Sequence, residues 1–240
     1  MLTSTTIAAI VLTRACAILL FLWIIPVLVG AQQMPSPPPT VSPARTLRPA
    51  PLGAAQDLDR FARAWAGIAA YSATVTVFER KGTQVENLVL NYRFRRPSSV
   101  MAHVVSGPNA GGTLTWDGGA NVVARRGTGL AALFKKTFSL HDPVVTTIRG
   151  SSIDQLSFGA ILAQAQQGGG TLSEAGSDVI DGVATDAVAL VPADPAADAG
   201  LSREVVEFSE LTHLPVRVLG FDETTLVREI DFSSVAVGSV

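Results

Sequence analysis

The sequence predicts an α+β domain: a curved antiparallel β-sheet, closed as a barrel or left as an open half-barrel, with one leading helix and a helical insertion in the middle. Three observations carry that reading. Residues 204–237 contain three apolar–polar alternations, separated by turn-like breaks at 209–214 and 220–225. This is the period of strands with one buried face. The same alternation recurs in pairs along residues 73–124 and 171–191. One helical stripe, at residues 57–71, precedes them all.

Before that stripe the chain has a different character. Residues 1–13 carry no charge, Arg14 is the single charge before Arg45, and residues 15–29 are densely apolar. Val29 and Ala31 occupy the small-residue positions that a signal peptidase reads, which makes residues 1–31 an export signal and Gln32 the mature start. An uncleaved membrane anchor is the alternative, since about 20 apolar residues suffice to span a bilayer. Cys16, the only cysteine, lies inside this leader. The remainder therefore offers no disulfide, thiolate metal site or cysteine nucleophile. Residues 32–53 contain Pro35, Pro37, Pro38, Pro39, Pro43, Pro49 and Pro51. That density excludes helix and central strand and predicts a semi-rigid linker, with the folded domain at 54–240.

Within the domain, Leu58, Phe61, Trp65 and Ile68 recur at spacings of three and four and form the buried stripe of the leading helix. Ala73, Val75 and Val77 alternate with threonines, residues 81–83 turn, and Leu88, Leu90, Tyr92 and Phe94 alternate on the way back. After the Arg95-Arg96-Pro97 step, residues 100–105 give a third strand and residues 113–116 a fourth. Asp117-Gly118-Gly119 makes the hairpin turn into a fifth at 121–124. Alternation lapses from 127 to 140, where a short helix is expected at 130–135. Ser151 or Ser152 caps a second helix running through Gln166, which residues 168–170 end. Residues 171–175 and 184–191 bracket an Asp181-Gly182 turn, and 192–200 is a loop. In the closing meander Pro215 opens a strand, a position sheets tolerate, while Gly220 and Asp222 supply turn chemistry.

Charged residues are 16% and hydrophobic residues 48%, with net charge −2 and no basic block. The balance supports a buried core and argues against a nucleic-acid partner. No nucleophile elbow, zinc-protease motif, phosphate loop or dinucleotide fingerprint occurs. His103, His141 and His213 are isolated, without the spacing of metal ligands. No enzyme, cofactor or metal is expected. The acidic residues read as solvated strand faces.

Several stretches together resemble the LolA/LolB-like periplasmic lipoprotein-carrier superfamily. Residues 91–104, N-Y-R-F-R-R-P-S-S-V-M-A-H-V, are similar to its strand, Arg-Pro step and following strand; T-L-T-W-D-G-G at 113–119 is similar to its next hairpin. The leader, the first helix and the closing meander agree in order. The resemblance implies an open half-barrel whose apolar concave face, lidded by short helices, shields acyl chains in an aqueous compartment, the periplasm. It implies a cavity lined by Val75, Val77, Leu88, Leu90, Tyr92, Phe94, Val104, Val206, Phe208, Val216, Val218, Ile230 and Phe232. It also implies that Arg96 latches the helical segments between Leu130 and Gln166 and holds the empty cavity shut. Taken by itself, Arg96 is the charged end of a strand.

Two functions follow from these expectations. One is an exported, non-enzymatic carrier of lipid or lipoprotein acyl chains. The other is an envelope interaction or sensing domain that grips a protein partner with the same fold. An empty cavity of ligand size favours the first, a filled sheet with an exposed apolar patch the second.

Overall fold

A computed structural model describes residues 53–127, 135–167, 170–196 and 199–238. The leader, nearly all of the proline-rich segment and most of the short helix expected at 130–135 lie outside these. Eleven antiparallel strands form one curved, open sheet in the order β6-β5-β4-β3-β2-β1-β11-β10-β9-β8-β7. The strands are β1 (Ala70–Lys81), β2 (Gln84–Arg95), β3 (Ser99–Ser106), β4 (Thr113–Trp116), β5 (Asn121–Arg125) and β6 (Lys135–Ser139). After the helical insertion come β7 (Thr171–Ile180), β8 (Val183–Val191), β9 (Arg203–Ser209), β10 (Pro215–Asp222) and β11 (Thr225–Val237). The fold class is the expected one, and its architecture follows from hairpins. Among the described residues only β1 and β11 pair across a long sequence separation, closing the meander onto the first hairpin.

The turns behave as their residues dictate. Asp181 and Gly182, at φ 49° and 82°, both take the positive φ that a type I′ hairpin requires. β2 and β3 pair antiparallel with Arg95 opposite Ser99, around a cis Arg96–Pro97 bond. Gly220 does something else. It lies within β10, opposite Arg228 on one side and Glu204 on the other. A Cβ there would come within 3.0 Å of both Leu201 methyl groups. Close packing of Leu201, not a turn, requires this glycine; the turn is Glu223-Thr224.

Helix α1 spans Ala54–Ala66, shorter than the stripe suggests, because Gly67 caps its C-terminus and β1 takes Ala70 and Tyr71. Helix α2 spans Phe158–Gln167. Its N-terminal cap is Ser157, whose Oγ accepts the amide of Ala160 at 3.1 Å. The Ser152 signal is real but local: the Ser152 amide donates to Gln155 Oε1 at 2.9 Å, heading a turn and not the helix. Residues 140–157 thus form a strap of turns. Lys135, expected to end a helix, begins edge strand β6, whose Phe138 pairs with Val122.

Both helices press on the sheet through aromatic rings. Phe158 stacks on Tyr71 with centroids 4.3 Å apart and touches Phe232 at 5.1 Å. Phe61 meets Phe208, and Trp65 meets Phe94, each at 5.2 Å. A Cβ on Gly159 would lie 3.0 Å from the Trp65 ring, so this glycine lets α1 and α2 meet. Such pairs contribute about 0.5–1.5 kcal/mol beyond their area.

Candidate functional site

Past Phe94, which meets Trp65 of α1, the inward residues of β2 to β6 face the strap, and a cavity of about 440 Å³ remains between them. Leu88, Leu90, Val104, Leu114 and Phe138 supply its sheet wall, and Val145, Ile153 and Leu156 its roof. The lining also includes Arg125, Arg126, Lys136 and Glu86. The volume lies within the roughly 300–1,000 Å³ typical of small-molecule sites. A second cavity of about 430 Å³ lies on the other side of Ser151 and Leu156, against Val218, Ile230, Arg228 and Glu204.

The expected cavity residues divide accordingly. Leu88, Leu90 and Val104 line the first cavity, and Val218 and Ile230 the second. Val75, Val77, Tyr92, Phe94, Val206, Phe208 and Phe232 belong to the buried core. They share the inward parity, yet the helical aromatic rings fill the space above this part of the sheet. Val216 departs for a different reason. Pro215 pairs with Phe208 but Arg217 with Glu207, which leaves Val216 as the extra residue of a β-bulge. It is half-buried, outside the alternation that Val218 follows.

The strap is held by groups that sequence reasoning assigned to solvent. Glu79, wholly buried on β1, accepts Ser151 Oγ at 2.7 Å and the amide of Arg149 at 2.9 Å. Its register partners are Glu86 on β2 and Arg228 on β11. Arg228 in turn forms an ion pair with Glu204 on β9; the two side chains are 10% and 2% exposed. A charged row therefore crosses the inner face of the sheet beneath the strap. Burial, then the charge on Glu79, push the Glu86 carboxyl up from its ordinary value, and the Ile148 amide opposes them by donating to it. Facing carboxylates repel. Here the strap amides and hydroxyl, together with Arg228, compensate. One signal announced the row: Glu79, Glu204 and Arg228 each share parity with the inward pairs Val75–Val77, Val206–Phe208 and Ile230–Phe232. The two tyrosines complete the attachment. Tyr92 donates its hydroxyl to the Ile153 carbonyl at 3.0 Å, and Tyr71 accepts the Phe158 amide at 3.2 Å.

Arg96 reaches another partner than the expected lid segments. Its Nε donates to the Ile68 carbonyl at 2.6 Å and its Nη2 to the Trp65 carbonyl at 2.7 Å, with the guanidinium 4.5 Å from the Trp65 ring centroid. The end of α1 leaves carbonyls without helical donors, and a cation there also complements the helix dipole. Arg96 touches the lid region only indirectly, through the Trp65 contact with Phe158. Among the described residues no group of three or more His, Cys, Asp or Glu side chains is placed to hold a metal ion.

No protein-family model matches the chain, and no curated protein does. Solved structures do. An uncharacterized conserved protein from Thermus thermophilus aligns at TM-score 0.49 and 10% identity, covering 78% of this chain and 88% of that one. The lipoprotein LppX of Mycobacterium tuberculosis aligns at 0.45 and 15%, covering 75% and 93%. A putative outer membrane lipoprotein-sorting protein domain from Vibrio parahaemolyticus aligns at 0.42 and 12%, covering 78% and 94%. With TM-scores below 0.5, the fold assignment rests on the strand order and register above.

Proposed function

We propose that the domain is an exported, non-enzymatic carrier that shelters the acyl chain of a lipid or lipoprotein in the cavity under β2 to β6. The observation that carries this reading is the first cavity, whose walls are mostly aliphatic, whereas the second lies against the Arg228–Glu204 ion pair. Protecting an acyl chain from water needs about 0.8 kcal/mol per methylene, and the walls of Leu88, Leu90, Leu114, Ile153 and Leu156 supply that without any reacting group. In this reading residues 1–31 direct export and residues 32–53 space the domain from a membrane. Arg96 serves as a latch on the end of α1, bracing the helix pair beside the cavity.

Native mass spectrometry of the full chain isolated from the cell envelope, followed by organic extraction, tests the proposal. The expected result is co-purified lipid in the wild type and its loss in Leu114→Trp, which fills the cavity, with the melting temperature maintained. A lipid-free wild type that also binds no apolar dye would leave the protein-partner function as the better account.

A further inference from the structure

We infer that the ligand is an anionic amphiphile, whose carboxylate or phosphate headgroup is held by Arg126 and Lys136 at the β5–β6 end of the cavity. This rests on the reading of the cavity as an acyl-chain site and specifies its ligand. Across β4, β5 and β6 the register runs Leu114, Ala124, Lys136. The inward row therefore changes from apolar to cationic at its last step. Along β5 the inward parity of Val122 and Ala124 continues to Arg126 just beyond the strand, and along β6 Lys136 shares parity with Phe138. The Lys136 ammonium lies 4.7 Å from the Phe138 ring centroid, a cation–π contact that keeps it over a ring of the cavity wall.

Charge balance points the same way. Arg126 and Lys136 both line the cavity, and neither forms an ion pair among the described residues. The one acid in the lining, Glu86, stands on β2, three strands away in sheet order from β5, and takes the Ile148 amide. Lysine on an edge strand also discourages strand pairing. That role needs only outward cations, and Lys135 meets it, so the inward placement of Lys136 and Arg126 is left for a ligand. An anion there balances their charge while its chain occupies the apolar floor.

Displacement of an apolar fluorescent dye from the purified full chain tests this, using palmitoyl lysophosphatidylglycerol, palmitoyl lysophosphatidylcholine, palmitate and glycerol phosphate below micellar concentrations. Lysophosphatidylglycerol should bind about tenfold or more tighter than its zwitterionic counterpart, a gap that narrows as salt rises. The double variant R126Q/K136Q should close the gap, weakening lysophosphatidylglycerol more than lysophosphatidylcholine, with the circular dichroism spectrum unchanged. Palmitate binding as tightly as the lysophospholipid would identify a carboxylate source, and the reverse a phosphate source; both support the inference. Equal binding of the two lysophospholipids, or a gap that survives in the variant, overturns it while leaving the carrier reading intact. Competition by glycerol phosphate as strong as by the amphiphile also overturns it, and displacement by none of them overturns both.

Discussion

Inward rings such as Phe94, Phe208 and Phe232 meet two helices, whereas Leu88, Leu90, Val104 and Leu114 face a strap of turns. Both halves present the same alternation of apolar residues, so the sheet alone does not decide which half is full. The difference lies in what stands above it. Phe61, Trp65 and Phe158 project rings between the strands of the first half. The strap places Val145, Ile153 and Leu156 over the second, with the cavity between them and the sheet. It is held through polar groups, at Glu79 and Tyr92, as well as through buried Leu140, Ile153 and Leu156.

The largest expected effect separates the halves by truncation. Phe158→Ala should cost about 3–5 kcal/mol of stability by denaturant unfolding, the range for a large ring removed from a tight core. Leu114→Ala, at the cavity wall, should cost well under half as much, since it enlarges a space already present. Equal costs would mean that both halves are packed alike.

Next comes the strap. Replacing Glu79 with Gln leaves its side chain uncharged in a buried site built for charge-assisted bonds, each contributing about 1.5–3 kcal/mol. Hydrogen exchange at the Arg149 amide should accelerate tenfold or more, with little change at amides in β9 to β11. Uniform acceleration would show that Glu79 supports the whole fold and not the strap alone.

Arg96→Leu removes two carbonyl partners at the end of α1. It should lower stability by about 1–3 kcal/mol and raise apolar-dye binding while the circular dichroism is unchanged. Dye binding at the wild-type level would leave Arg96 as the charged end of a strand.

The smallest effect is a pH slope. Burial, then the charge of Asp186, with Arg60 opposing and Glu174 adding, raises the Asp57 carboxyl to about 6. The folded state therefore holds a proton that the unfolded chain releases near pH 4, so stability falls as pH rises through that interval. The α1 region should tighten as pH drops from 7 to 5, and Asp57→Asn should flatten that dependence. A slope of the opposite sign in the wild type would show that Asp57 is not the group responsible.

Alternation made the sheet, its hairpins and its leading helix legible, because inward parity and turn residues act locally. The vacancy was not legible. Phe94 and Leu90 share one parity in sequence, and only the three-dimensional path of α1 puts a ring over one and leaves the cavity over the other. Arg96 was visible through its Arg-Pro step, but its partners depend on where α1 ends, which Gly67 decides. Val216 was lost to a bulge that period-two counting cannot see. Glu79, Glu204 and Arg228 were legible in principle, as charges on an apolar parity. Charged residues are so often solvated that this parity is easily passed over. Lys135 on β6 was hidden by a lapse of alternation in the preceding residues.

Methyl NMR of the full chain, titrated with a spin-labelled acyl chain, tests the central contrast most directly. The account predicts the strongest broadening at Leu88, Leu90, Val104 and Leu114, falling off across the sheet to Val188 and Val206 on β8 and β9. Broadening centred on the filled half, or on the outward Val105 and Val123, would contradict it.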